Sequence, residues 1–325
     1  MNEILANPNS HPISFCENNF NYKLYGTGYK PFCDVYNYIG VKALEKDSKP
    51  VIMVKGRQAG ATTTALGIET YFMCSGLFGN AITPPIRLLH AFPLLETARA
   101  YSKNHLNNNL MKDLMKDCLN PRTIDQNSLS FKNFIGGNEL WIDSTGLDSS
   151  RLRGRAFDAI FFDEVQEMHD LALENAKINL LYAKHGKPGQ GIQFYFGTPK
   201  SKDSYFHEMW KKSSQQYYHL GCGSCNQYFQ LYTPGTDDWE NVWLDDFIVK
   251  CTNCGYEQDK RLAAENGKWV CSQDINDPSC EYVGFHLNQL YMPDFPKEKI
   301  LAEKPGPHPF NTENSYQNEV LAEFF

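Results

Sequence analysis

Short apolar runs alternate with segments of helical periodicity over the first two thirds of the chain. Apolar runs predict buried strands at Val51–Val54, Arg87–Phe92, Ala159–Phe162 and Ile192–Phe196. Apolar residues at helical spacing predict helices at Asp34–Glu45, Thr62–Cys74 and Leu171–Lys184, and one or two helices over Glu96–Leu119. Because strands alternate with helices, we expect an α/β fold whose mostly parallel sheet is flanked by helices.

The pattern changes after about residue 215. Between Tyr217 and Tyr282, aromatic residues, cysteine pairs and turn-forming residues replace the helical periodicity, which predicts a small β-rich module. A proline-rich stretch follows, and a helix is expected to begin near Ser315. We therefore expect three parts, with bounds at 1–215, 216–283 and 284–325.

The composition fits a globular protein without a membrane span. The chain has 325 residues, of which 42% are hydrophobic and 14% aromatic, enough for one large α/β domain and a smaller appendage. It contains no apolar run of about 18 residues, and Met1–Leu5 lacks the basic and apolar pattern of an export signal. We therefore expect neither a transmembrane helix nor a secretory signal.

The charge of the chain narrows the classes of nucleic-acid protein to which it can belong. A net charge of -7 and a pI of about 5.7 argue against a basic protein that coats DNA. A DNA motor is compatible with this charge, because it needs only a local basic path.

The segment Lys55-Gly56-Arg57-Gln58-Ala59-Gly60-Ala61-Thr62 lies between a predicted strand and a predicted helix, the place of a phosphate-binding loop. In the standard pattern G-x-x-x-x-G-K-[ST], Gly60 is the second glycine and Thr62 is the hydroxyl that binds Mg²⁺. Ala61 stands at the position of the lysine, and Lys55 at that of the first glycine. Since the phosphates of ATP must be neutralised, Lys55 and Arg57 are the candidate cations. Taken alone, the segment fits a glycine-rich turn with two solvated cations equally well.

A pair of carboxylates follows the apolar strand at Ala159–Phe162. A strand that ends in Asp163-Glu164 places one carboxylate on Mg²⁺ and the next beside the attacking water. We therefore assign Mg²⁺ to Thr62 and Asp163, and the role of general base to Glu164. Chance would have to produce both motifs in the right order and about 100 residues apart, which favours a nucleotide site over a simple turn.

Three arginines, Arg151, Arg153 and Arg155, lie in the polar loop just before that strand. An arginine in this position can stabilise charge on the γ-phosphate, and any one of the three could take the role. For any one of the three, an ordinary solvated loop arginine is the alternative interpretation.

Four of the ten cysteines form two Cys-x-x-Cys pairs that 25 residues separate, namely Cys222, Cys225, Cys251 and Cys254. Turn-forming residues, Asn226 and Gly255, follow the two pairs directly. Two such pairs in a large chain without an export signal predict one structural Zn²⁺ with four thiolate ligands. Cys271 and Cys280 could form a second half-site, but no further His or Cys partner is obvious.

With these residues identified, the chain from about Val51 onward resembles the large subunit of tailed-phage terminases, the DNA-packaging motors. The segment 57–63 is similar to that family's R-Q-x-G-K-[ST]-T, apart from Ala61. Lys55 matches the lambda-like branch, which contains a zinc ribbon and has its basic residue at the start of the loop. Leu152-Arg153-Gly154 is similar to the loop that leads into the family's Asp-Glu strand.

The resemblance implies an ATPase that couples hydrolysis to the translocation of DNA into a procapsid. Gly197-Thr198-Pro199 is similar to the family's coupling motif, which links hydrolysis to domain movement. The implied catalytic residues are Lys55, Arg57, Arg153 and Glu164, and the implied residues for ATP and Mg²⁺ are Gly60, Ala61, Thr62, Thr63, Asp163 and Thr198. The implied cofactors are therefore ATP, Mg²⁺ and Zn²⁺.

The resemblance also implies partners and a wider domain organisation. The expected partners are viral double-stranded DNA, a terminase small subunit and the portal of the procapsid, in a homo-oligomeric ring in the host cytoplasm without a membrane. Residues 1–215 would form the ATPase domain and 216–283 a zinc-ribbon-like module. Residues 284–325 would be a linker toward an endonuclease domain, which we expect beyond Phe325.

Two other classes of protein remain open. A zinc-ribbon helicase or translocase would normally carry a second ATPase-like lobe, for which the chain has no room. A non-enzymatic zinc scaffold for nucleic acid or protein is favoured by the missing lysine at Ala61. The sequence also departs from related motors in having no glutamine before Gln58, so their adenine-reading glutamine is not visible.

Overall fold

The computed structural model of the chain describes residues 12–20, 28–75, 82, 84–107, 117–122, 127–236, 238–306 and 312–325. The chain forms two compact units. The first unit lies within Met1–Tyr22, Tyr36–Pro50 and Thr62–Phe196. The second unit lies within Lys23–Val35, Val51–Ala61 and Gly197–Phe325.

The regular elements of both units have the following bounds. The strands are β1 (Val51–Lys55), β2 (Arg87–Phe92), β3 (Phe131–Asn133), β4 (Glu139–Ser144), β5 (Ala159–Asp163), β6 (Ile192–Gly197), β7 (Gln216–Gly221), β8 (Tyr228–Gln230), β9 (Ile248–Lys250), β10 (Glu257–Asp259), β11 (Lys268–Cys271) and β12 (Val283–Leu287). The α-helices are α1 (Pro12–Phe20), α2 (Lys30–Gly40), α3 (Ala61–Cys74), α4 (Leu95–Ala100), α5 (Asp170–Lys177), α6 (Tyr205–Lys211), α7 (Lys260–Glu265), α8 (Lys297–Glu303) and α9 (Glu313–Ser315).

The sheet of the first unit is mostly parallel and has the strand order β6-β5-β2-β4-β3. β2 lies between β5 and β4 and pairs with both in parallel, and β5 pairs in parallel with β6. Only β3, at the edge of this order, is antiparallel to its neighbour β4. Every residue of β5 and β6 is buried, as expected for strands whose side chains are covered on both faces.

In the second unit β1 pairs in parallel with β12, and β12 pairs in parallel with β7. β7 is also antiparallel to β8 and β11, while β9 and β10 form a separate antiparallel pair. β7 and β12 stand at the predicted boundaries near residues 215 and 283. Between them, β8 and β11 stay in this sheet through their pairing with β7, and only β9 and β10 lie outside it. The division at 1–215, 216–283 and 284–325 itself stays a prediction.

Helices flank the sheet in each unit. In the first unit α4 packs against β2 and β4, and in the second unit α6 packs against β1 and α7 against β7. The predicted fold class, a mostly parallel sheet flanked by helices, is therefore confirmed. None of the helices among the described residues is long and apolar enough to cross a membrane.

Three predicted helical segments differ from the structure in their bounds. The helix predicted at Asp34–Glu45 is α2 followed by the 3₁₀ turn Lys42–Leu44. The helix predicted at Leu171–Lys184 is α5 followed by the 3₁₀ turn Ile178–Leu180, and beyond this turn the backbone N–H of Lys184 donates to Asp158 Oδ1 at 2.6 Å. The segment Glu96–Leu119, predicted as one or two helices, contains α4 followed by a π-helical turn, Tyr101–Asn107, and its residues 108–116 lie outside the described part of the chain.

Candidate nucleotide and metal sites

The predicted phosphate loop connects β1 to α3. Its first N–H, that of Gly56, donates to the backbone oxygen of Leu287 in β12 at 2.9 Å. Gly60 has a φ of 71°, a left-handed conformation that glycine adopts at no steric cost. Gly60 therefore suits the place that the pattern gives to the second glycine, where the chain turns into the helix.

Lys55 is the last residue of β1, and its side chain is buried. Its ammonium nitrogen donates to Thr198 Oγ1 at 3.2 Å. A buried ammonium group requires polar partners, because removing a charge from water is costly. The second unit thus brings the candidate cation of the loop together with the threonine of the Gly197-Thr198-Pro199 segment.

Arg57, the other candidate cation, is held by the C-terminal segment. Its side chain is 67% exposed and its Nη1 lies 3.0 Å from Glu319 Oε2. Its backbone N–H donates to the backbone oxygen of Glu319 at 2.6 Å, and its own backbone oxygen accepts from Gln289 Nε2 at 2.7 Å. Three contacts therefore direct Arg57 toward Glu319 and Gln289.

The first unit brings together the two predicted Mg²⁺ ligands. Thr62, in the first turn of α3, donates its hydroxyl to Asp163 Oδ2 at 3.1 Å. Asp163 ends β5 and is buried, and its Oδ1 has no hydrogen-bond partner among the described residues. A hydroxyl and a carboxylate with a free buried oxygen are the hard oxygen donors that Mg²⁺ prefers, so the two residues fit this ion.

Glu164 follows Asp163 and adopts an unusual backbone conformation. Its φ of 57° lies in the left-handed region, which non-glycine residues visit rarely and at a cost of about 1–3 kcal/mol. Its carboxylate accepts a short hydrogen bond from Gln166 Nε2. Because of this strained conformation, the Glu164 side chain does not continue the alternation of side chains between the two faces of β5.

The three loop arginines have different surroundings. Arg151 Nε and Arg155 Nη1 lie 3.0 and 3.1 Å from the two oxygens of the buried Asp143, so both are engaged with one carboxylate. Arg153 is 72% exposed and lies 3.5 Å from Asp148. Arg153 is thus the most exposed of the three, and its assigned role stays a prediction.

Sequence reasoning missed a buried cluster that includes Asp163. Its members are Glu69, His90, Tyr101 and Asp163. His90 Nδ1 lies 2.6 Å from Glu69 Oε1, and His90 Nε2 lies 3.7 Å from Asp163 Oδ2. Tyr101 donates its hydroxyl to Glu69 Oε2 at 2.8 Å. Burial lowers the pKa of His90, but the carboxylates of Glu69 and Asp163 outweigh it and raise the pKa to about 9. The signal in the sequence is a single histidine within the apolar run of β2.

The two predicted cysteine pairs come together in the second unit. The sulfur atoms of Cys222, Cys225, Cys251 and Cys254 all lie within 4.8 Å of one another. Cys222 and Cys254 are 3.7 Å apart, and Cys225 and Cys251 are 3.9 Å apart. A tetrahedral zinc ion with Zn–S bonds of about 2.3 Å requires sulfur atoms about 3.8 Å apart, whereas a disulfide requires about 2 Å. The spacing therefore fits a tetrahedral thiolate site.

Each cysteine pair closes a β-hairpin by the same backbone arrangement. Cys222 lies between β7 and β8, and Cys251 lies between β9 and β10. Asn226 and Gly255 have φ values of 56° and 76° and donate to the backbone oxygens of Cys222 and Cys251. Burial opposes ionisation of Cys222, but the N–H groups of Cys225 and Ser224 lower its pKa to about 7. Such N–H groups favour the thiolate, which is the form that binds metal.

The fold and these motifs define a P-loop type ATPase domain. A family described as the ATPase domain of the phage terminase large subunit gpA matches residues 40–269. The chain belongs to this family, and the predicted resemblance to terminase large subunits is confirmed. No curated protein matches the chain.

A solved terminase structure shows the same fold at low sequence identity. The ATPase domain of the large terminase from Thermus phage P74-26 is 14% identical, with a TM-score of 0.53 over 97% of this chain and 99% of that one. The large terminase of another thermophilic bacteriophage is 11% identical, with a TM-score of 0.47 over 91% of this chain and 53% of that one. A structure of that second terminase in complex with ADP is also 11% identical, with a TM-score of 0.44 over 92% of this chain. The chain thus spans about half the length of the second terminase.

Proposed function

We propose that this chain is the ATP-hydrolysing motor part of a phage terminase and that its hydrolysis of Mg·ATP drives DNA into a procapsid. The observation that carries the proposal is the contact between Thr62 Oγ1 and Asp163 Oδ2, two residues that are 101 positions apart in the chain. A degenerate fold that only scaffolds a zinc module has no need to keep a hydroxyl and a buried carboxylate together. Membership of the terminase ATPase-domain family supports the same conclusion.

The residues of the site have distinct roles in this proposal. Bound Mg²⁺ would be held by Thr62 and Asp163 and would neutralise charge on the phosphates. The backbone N–H groups of the loop around Gly60 cradle phosphate oxygens. Glu164 accepts a proton from the attacking water as general base. Arg153 stabilises charge on the γ-phosphate, and Ala61 and Thr63 complete the nucleotide-binding segment.

Lys55 is our choice for the cation of the loop. It is buried and bonded to a neutral hydroxyl, that of Thr198, which an anionic phosphate oxygen can replace as its partner. Arg57 would first have to leave the carboxylate of Glu319. The Lys55–Thr198 hydrogen bond also joins the cation to the proposed coupling segment, so that a change of phosphate state can reach that segment.

The four clustered cysteines form, in our proposal, a structural zinc site. Four thiolates close the coordination of the ion, which leaves no open position for a substrate. The two hairpins that the cysteines close contain short strands of three residues such as β8, β9 and β10. A metal would therefore supply much of the stability of these hairpins.

The remaining assignments rest on the resemblance to lambda-like large subunits. We propose double-stranded viral DNA, a terminase small subunit and the portal as partners, and a homo-oligomeric ring in the host cytoplasm as the working assembly. We also propose an endonuclease activity for the whole protein, and we assign it to none of the residues discussed here.

We expect Glu164→Gln to lower DNA-stimulated ATP hydrolysis by about 10²–10⁴-fold, because a general base contributes that much to a rate. Binding of Mg·ATP should stay within a few-fold of wild type. Steady-state hydrolysis and isothermal calorimetry measure the two effects. Glu167→Gln, an exposed carboxylate in the next turn, is the matched control and should keep full activity. Wild-type hydrolysis by the Glu164 variant would show that another group is the base.

We expect Lys55→Met to lower kcat by roughly 10²–10³-fold, as removal of one charge-stabilising donor does. Arg57→Ala should keep most of the activity, since Arg57 is paired with Glu319. Methionine retains most of the buried stem of Lys55, and thermal melts check that both variants are folded. Loss of hydrolysis in Arg57→Ala alone would transfer the role to Arg57.

We expect one zinc ion per chain, held with an apparent free energy of roughly 10–16 kcal/mol as in structural zinc peptides. Elemental analysis should find it in the purified protein, and Cys251→Ser or a strong chelator should remove it and lower the melting temperature. Cys271→Ser, which changes an exposed cysteine outside the cluster, is the control and should keep the metal. Wild-type protein that purifies without metal, and melts at the same temperature with and without the chelator, would contradict the site.

A further inference from the structure

The buried cluster of Glu69, His90, Tyr101 and Asp163 lies behind one of the proposed Mg²⁺ ligands. His90 is in β2, which pairs with β5 so that His90 is opposite Phe161. Asp163 is two residues beyond Phe161, and side chains two residues apart point to the same face of a sheet. His90 and Asp163 therefore share one face, and their nearest polar atoms are 3.7 Å apart.

Helix α3 covers the same face with two of its residues. Thr62 and Glu69 are seven residues apart, which places them on one side of the helix, two turns from each other. Thr62 contacts Asp163 at 3.1 Å, and Glu69 contacts His90 at 2.6 Å. The Asp163 carboxylate is therefore contacted by α3 in two ways. Thr62 in the first turn contacts it directly, and Glu69 in the middle of the helix contacts it through His90.

Packing alone does not explain an imidazole at this position. His90 is completely buried, stacks on Phe92 with a centroid distance of 4.4 Å, and has Tyr101 at the same distance. A phenylalanine would fill such an aromatic environment without the cost of burying polar atoms. The two nitrogens of the ring instead face two carboxylates, one on each side.

We propose that His90 is a positioning residue for Asp163, anchored by Glu69 and Tyr101, and that it fixes the carboxylate for Mg²⁺ binding. The ring nitrogen and the Thr62 hydroxyl both approach Oδ2 of Asp163, while Oδ1 has no hydrogen-bond partner among the described residues. The carboxylate therefore has a fixed rotation with one oxygen left for a ligand. This inference rests on the proposed function, because that function assigns Mg²⁺ to Thr62 and Asp163.

Residues that orient a metal ligand typically change metal affinity by 10–100-fold when they are replaced. We expect His90→Phe, which keeps an aromatic ring on Phe92, to weaken the apparent Mg²⁺ affinity by about that factor. Calorimetric titration of Mg²⁺ into protein with ATPγS measures it, and binding of ATPγS in EDTA should not change. His286→Phe replaces another buried histidine and should leave the Mg²⁺ affinity as in wild type.

A double-mutant cycle separates positioning from general destabilisation. If His90 acts through the carboxylate, His90→Phe has no further effect on Mg²⁺ affinity once Asp163→Asn is present. A purely structural role would weaken binding equally in both backgrounds and would overturn the inference. Thermal melts of every variant accompany the titrations.

Milder variants decide the question if His90→Phe does not fold. Glu69→Gln and Tyr101→Phe loosen the anchor of His90, and we expect each to weaken Mg²⁺ binding several-fold. Wild-type Mg²⁺ affinity in both would overturn the inference. If Thr62→Ala and Asp163→Asn also bind Mg²⁺ like wild type, the metal assignment in the proposed function fails as well; if they do not, only the role of His90 fails.

Discussion

The contact between the Thr62 hydroxyl and the Asp163 carboxylate is the interaction on which the catalytic proposal depends. It holds the first turn of α3 at the carboxyl end of β5, where Asp163 is buried. A buried carboxylate is costly unless polar groups surround it. The Oδ2 atom of Asp163 has the Thr62 hydroxyl and His90 beside it, and Glu69, two turns along α3, partners His90 in turn. One face of α3 thus supplies a proposed metal ligand, Thr62, and the proposed anchor of His90.

A second constraint concerns the charge of the phosphate loop. Because Ala61 stands in place of the usual lysine, another residue must supply the cation. A lysine ammonium acts as a compact point charge on a flexible stem. A lysine can therefore neutralise phosphates from more positions in the loop than an arginine can. Lys55 is bonded to a hydroxyl, whereas Arg57 is held by the side chain and the backbone of Glu319. The segment around Glu319 therefore restricts Arg57, whereas a phosphate oxygen could replace the hydroxyl partner of Lys55 in the proposed complex.

Much of the fold was predictable from the sequence, because its strands are short, buried and bounded by turns. The apolar runs predicted β1, β2, β5 and β6 to within a residue, and the cysteine spacing predicted the cluster that the structure brings together. Contacts between distant segments that carry no motif were not predictable. The pairing of β1 with β12 joins strands more than 200 residues apart, and the hold of Glu319 on Arg57 is equally remote.

The site was predictable only where a residue type has a restricted chemical meaning. Asp163-Glu164 after an apolar strand is such a signal, and so is Thr62 after a glycine. His90 is not, because one histidine within an apolar run has the same pattern whether it packs in a core or partners two carboxylates. The early end of α5 was hidden for a related reason, since the helical spacing of apolar residues does not change where the helix ends at Lys177.

The most direct test of the proposed nucleotide site is a structure of this chain with Mg²⁺ and ATPγS bound. We expect the Lys55 ammonium within about 3 Å of a phosphate oxygen, Thr62 and Asp163 on the Mg²⁺ side, and Arg57 still paired with Glu319. A structure in which Arg57 contacts the phosphates while Lys55 remains on Thr198 would contradict these assignments.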